Sequence, residues 1–245
     1  MPLFSASSFI DLLNALVCFI LSNKLRYSYL KSNNVFIKNF SIFYFVFAIF
    51  FLFLGLPFFM PSYPYLIQSS FVISHFFLYS AMAVFLSLFL KLIQREKLGV
   101  IVMWFVILIG ATVFYFSWKD GGDARIFFLS NEYSQIISWS HGGNEFFRLL
   151  IGLAGTILGS VVGIFFIFFS RRAIKDPKLR IKGLILGLGL MLLGLAAFLA
   201  FVLSIFPFYN FYIVLAAEIT TISGLLIIYS GASKEWDSLQ SRNML

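Results

Sequence analysis

Asp11, His75 and Glu218 are ionisable side chains set in otherwise apolar stretches, and they are the residues best placed to do chemistry. An ionisable group in the hydrocarbon of a bilayer is expensive: insertion scales put Asp at roughly 2.5–3.5 kcal/mol at a helix centre, so such groups face protein or water. Brought together, two carboxyls and an imidazole could bind a ligand or relay protons. Asn14 follows Asp11 at i+3 and Thr221 follows Glu218 at i+3, spacings that share one face of a helix. Asp11, Asn14, His75, Glu218 and Thr221 thus define a candidate polar pocket, open to the outer side, between the first, third and last apolar segments. The plainer alternative is separate, satisfied helix–helix contacts, with Asp11 simply reaching the interface.

Other chemistries lack their residues. Cys18 is the single cysteine, and His75 and His141 are the two histidines, so neither a thiolate cluster nor a His/Asp zinc hydrolase set can be assembled. The last apolar segment has no central lysine for a retinal Schiff base, and no second membrane histidine faces His75 for haem ligation. No phosphate-binding glycine loop occurs, and no Ser-His-Asp spacing supports nucleophilic catalysis. The expectation is a protein without catalytic residues, metal or cofactor.

These groups need elements to hold them, and the composition says which kind. Of 245 residues, 61% are hydrophobic and 11% charged, against roughly 25% charged in soluble domains. Apolar runs of about 20 residues are long enough to span a bilayer as helices. The predicted fold is an all-α membrane domain of seven helices, over about 5–22, 40–59, 66–92, 98–118, 145–169, 181–206 and 209–230. An external loop, 119–144, carries a loosely alternating centre, 125–140, that reads as a short hairpin or interfacial cap. His75 and Glu218 each fall about nine residues from the outer end of their helix, a depth of about 14 Å at 1.5 Å per residue. Gly155, Gly159 and Gly163 recur every fourth residue, and Gly183 pairs with Gly187, spacings that let helix backbones approach closely. Packing within one chain is the first use of that column, and a homodimer the second.

Charge sets orientation. The stretch 170–182 contains Arg171, Arg172, Lys175, Lys178, Arg180 and Lys182 against one acid, Asp176, and lies between two apolar runs. Such clusters are retained in the cytoplasm. With that loop inside, Lys119, Arg125 and Arg148 are the outer exceptions among eighteen bases, so the N-terminus is expected outside and the C-terminus in the cytoplasm of a multi-pass inner-membrane protein. The net charge of +8 then belongs to loops touching anionic lipid headgroups, not to nucleic acid. No cleavable signal peptide is expected, because residues 1–8 hold no base and no small-residue cleavage pattern follows the first run.

The polar first helix with Asp11-Leu-Leu-Asn14, the basic link from Asn23 to Lys38, and the ending Gly55-Leu-Pro57 of the second helix resemble the N-terminal seven-helix membrane region of bacterial sensor histidine kinases. The resemblance covers all seven spans and is architectural. In that group the last helix continues into a cytoplasmic kinase, whereas here a short polar tail follows Ser230. The resemblance therefore implies a sensory or receptor-like module that signals through a separate cytoplasmic partner. A small secondary transporter or channel using the embedded carboxyls is the alternative.

Overall fold

The computed structural model describes residues 4–59, 64–92, 95–120, 125–131, 134–140, 145–173 and 177–233. Its helices are α1 (Ala6–Ser32), α2 (Val35–Gly55), α3 (Pro64–Leu92), α4 (Glu96–Asp120), α5 (Glu145–Ala173), α6 (Pro177–Ala197) and α7 (Phe211–Ser233). Seven helices among the described residues are long and apolar enough to cross a membrane, and the chain is a multi-pass integral membrane protein. The turn at 60–63, the glycine pairs Gly121–Gly122 and Gly142–Gly143, His141, the centre of the basic loop with Lys175, and the tail after Ser233 lie outside the described residues.

The basic link after the first apolar run is helical. Asn23 to Ser32 contains neither Gly nor Pro, and it buries Leu25 completely while Lys24, Arg26 and Lys31 stay exposed. An amphipathic stretch of this kind continues α1 beyond the apolar run. It ends at Asn33, whose φ of 53° is left-handed and whose N–H reaches back to the Tyr29 carbonyl at 2.8 Å. That is the usual helix C-terminal geometry, and Asn tolerates it better than most residues. Asn34 then caps α2, its Oδ1 accepting from Phe36 N at 2.9 Å. Two asparagines thus turn the chain between antiparallel neighbours. Ser22 and Ser41 fasten the pair further down, each hydroxyl donating to the other's carbonyl at 2.8 and 2.9 Å.

A small sheet accompanies the seven helices, and most of it falls in the stretch 125–140 read from the sequence as a short hairpin or interfacial cap. β2 (Arg125–Asn131) and β3 (Ser134–Ser140) form an antiparallel hairpin, and β1 (Phe4–Ser5) joins β3 in parallel, pairing Phe4 with Ile136 and Ser5 with Ile137. The hairpin lies against the start of α1 and touches α7, at the end of the bundle remote from Lys24, Arg26, Lys91 and Arg95. Two residues of strand carry no periodicity that a sequence can show, so Ser5 reads by pattern as the start of the first helix.

Neighbouring helices pack in sequence order, α1 on α2, α2 on α3, α3 on α4, and separately α5 on α6 and α6 on α7; α1 meets α7 to join the two groups. The α5–α6 seam is built on the glycine column. A Cβ on Gly159 would lie 2.6 Å from Gly194 Cα, one on Gly163 2.7 Å from the Gly187 carbonyl, and one on Gly155 2.8 Å from Ala197 Cβ. Gly183 faces Ser170. Backbones this close leave no room for a side chain, and dispersion with weak Cα–H···O bonding holds them together.

α6 does not stay α-helical to its end. Phe198–Val202 form a π turn, closed by Leu203 N on the Phe198 carbonyl, and Leu203–Ile205 a 3-10 turn before Pro207. Side chains satisfy the carbonyls this frees: Tyr209 Oη donates to Ala200 O at 3.3 Å and Ser204 Oγ to Phe201 O at 2.7 Å. Asn210 caps α7 by accepting from the N–H groups of Tyr212 and Ile213 at 3.1 and 3.2 Å.

Candidate functional site

Asp11 sits in the second turn of α1 and Glu218 in the third turn of α7, both toward the sheet end of the bundle. The α1–α7 contact brings them together. Asn14 Nδ2 donates to Glu218 Oε2 at 3.0 Å, and the Asp11 and Glu218 carboxyls lie within hydrogen-bonding reach of each other. An ionised carboxylate only accepts, so a hydrogen bond between two carboxyls requires at least one of them to be protonated. Asp11 is 5% exposed and Asn14 is fully buried. Each keeps one acceptor, Asp11 Oδ1 and Asn14 Oδ1, without a hydrogen-bond partner.

Both carboxyls open on a cavity of about 160 Å³ between the two helix groups. α2 and α3 supply one wall, with Phe43, Phe47, Phe50, Phe51 and Phe85. α5, α6 and the π turn supply the other, with Gly155, Gly159, Ala197, Ala200 and Phe201. Ser7, Asp11, Tyr209, Glu218 and Thr221 are its polar lining, and no Lys, Arg or His is among the described residues around it. Thr221 Oγ1 donates to Ala217 O at 2.8 Å one turn back, which leaves its oxygen as an acceptor.

The polar set read from the sequence divides in two. Asp11, Glu218 and Thr221 line the cavity and Asn14 braces Glu218, but His75 is not in the lining. His75 Nδ1 donates to Phe71 O at 2.8 Å on its own helix. Its ring packs at 3.8 Å between centroids from Phe71 and edge-on to Phe50 and Phe201 at 6.4 and 5.5 Å. The sequence places it at the same expected depth as Glu218, but α3 turns the ring into the aromatic layer beside Phe50, Phe71 and Phe201. Ser7 and Tyr209 give no signal in the sequence because neither is an ionisable group in an apolar run. The phenylalanine wall gives none because its residues are indistinguishable by type from lipid-facing ones; the period Phe43, Phe47, Phe50, Phe51, Leu54 along α2 marks the inward face.

Fold and site together define a multi-pass helical membrane protein with an acid-ended apolar cavity between its helices. No protein family, curated protein or solved structure matches the chain.

Proposed function

We propose that this chain is a non-enzymatic, receptor-like or sensory membrane module that takes up a small ligand in the cavity under the sheet. The cavity carries the proposal: it is an apolar chamber with a few convergent polar groups, the usual form of a small-molecule site. It lies across the junction of α1–α4 with α5–α7, so an occupant would touch both groups of helices and bias their relative position. The base distribution supports an outer N-terminus and a cytoplasmic C-terminus in the inner membrane, with the acid end of the cavity nearer the outside. Output through a separate cytoplasmic partner accords with the resemblance to sensor-kinase membrane regions.

The carboxyl pair also favours a second reading, a small proton-coupled transporter, because a carboxyl proton can be exchanged for a solute. Flux in proteoliposomes separates the two. The receptor reading expects no uptake of protons or solute above protein-free liposomes; uptake abolished by Glu218→Gln would replace it with transport.

A further inference from the structure

We propose that the occupant of the cavity is a small amphiphilic amine, its protonated ammonium seated on Asp11, Glu218 and Thr221 and its apolar body held among the phenylalanines. This rests on the ligand-binding reading above and names the chemistry of the ligand.

The acid end is an acceptor surface waiting for donors. Asp11 lines the cavity with its Oδ1 buried and without a partner, and a buried acceptor left unpaired is a standing cost. Water in the cavity could serve one such atom, but the remaining lining is almost wholly apolar and would hold few further partners for it. The Glu218 carboxyl, which opens on the cavity while Asn14 holds one of its oxygens, is a second acceptor, and the Thr221 hydroxyl, whose proton goes to Ala217 O, is a third. A primary ammonium has three donors and no acceptor, which matches that count. Charge matches as well: the ionisable groups of the lining are two carboxyls, and no Lys, Arg or His is among the described residues around the cavity. A carboxylate ligand would meet like charge there, and a neutral alcohol would supply one donor where three acceptors wait.

The far end selects the body. Phe43, Phe47, Phe50, Phe51, Phe85 and Phe201 offer no polar atom, and a volume of about 160 Å³ is close to that of an apolar cavity known to hold benzene, about 150 Å³. One aromatic ring or a short alkyl chain fills it. A lone sodium ion would satisfy the oxygens but leave the apolar chamber empty.

Equilibrium binding to the full chain in detergent micelles tests this, with radiolabelled phenethylamine as probe and phenethyl alcohol, phenylacetate, benzene and sodium chloride as competitors. Saturable phenethylamine binding is expected, with the alcohol at least tenfold weaker, phenylacetate without effect, and at least tenfold loss in both Asp11→Asn and Glu218→Gln. Leu158→Trp, which fills the cavity, should remove amine and benzene alike. Equal competition by alcohol and amine, or unchanged affinity in a folded acid variant, overturns the ammonium seat and leaves the cavity reading standing. Displacement by sodium chloride but not choline chloride overturns it in favour of a metal ion. If neither the amine nor benzene binds the parent, both this inference and the ligand-binding reading fall. The preference of the parent for amine over alcohol needs no variant, so misfolding of a mutant does not shelter the proposal.

Discussion

Tyr44 of α2 donates its hydroxyl to the carbonyl of Leu225 on α7 at 2.7 Å, with both residues fully buried. The Leu225 carbonyl is already within a helical ladder, so its second lone pair takes the bond. Together with Asn14 on Glu218, two turns away along α7, it fixes both the rotation and the height of α7 against α1 and α2. Tyr44→Phe should keep the ring packing and lose about 0.5–1.5 kcal/mol, the net worth of one such bond. A thermal melt in detergent would show it as a lowered midpoint, and an unchanged midpoint would mean that α7 is held by packing alone.

At Glu218, shape and polarity separate. Glu218→Gln retains hydrogen-bonding capacity toward Asn14 and Asp11, and should melt close to the parent. Glu218→Leu strands the Asn14 amide, and should be less stable than Glu218→Gln by about 1–3 kcal/mol, the cost of a buried polar group left unpaired. Equal midpoints for the two variants would show that the α1–α7 polar contact does not support the fold.

The glycine column makes a steric prediction. Gly159→Leu drives a side chain into Gly194 and the Leu190 carbonyl, both under 3.0 Å from even a Cβ, and overpacking of this kind costs about 1–3 kcal/mol. Val161→Leu, at a residue 57% exposed on the same helix, should cost much less. Similar losses at both positions would contradict close α5–α6 packing.

Orientation can be read by labelling. Cys18 is buried, so the parent should be silent toward a membrane-impermeant maleimide. Ser130→Cys in the hairpin should label on intact cells, and Lys31→Cys, exposed at the other end of the bundle, only after permeabilisation. The reverse pattern would invert the proposed topology and place the acid end of the cavity in the cytoplasm.

The seven spans are legible in the sequence because hydrocarbon imposes its length on each apolar run, and the Asp11–Asn14 and Gly155–Gly159–Gly163 spacings are legible because a helix repeats every few residues. Helix ends are less so. Lys24 and Arg26 read as a loop by charge, although nothing around them breaks a helix and Leu25 is wholly buried. Parallel pairing of Phe4 with Ile136 joins residues far apart in the chain and leaves no local trace. The separation of His75 from Glu218 leaves none either: depth in a membrane follows from residue number, but the side to which a ring turns follows from which helices are neighbours. The cavity is the extreme case, since space between phenylalanines has no sequence of its own.

The π turn at Phe198–Val202 bears on how this chain can change in length. A π turn holds one residue more than the α-helical turn it replaces, so deleting one residue there would restore regular α geometry and leave downstream residues on the faces they now occupy. Elsewhere in α6 a single deletion would rotate Phe201 and Val202 off Gly152, whose absent Cβ leaves 2.8 Å to each side chain. The wall of the cavity therefore contains the one stretch of α6 where a one-residue deletion would spare the helix packing on both sides, and there it would redraw the chamber instead.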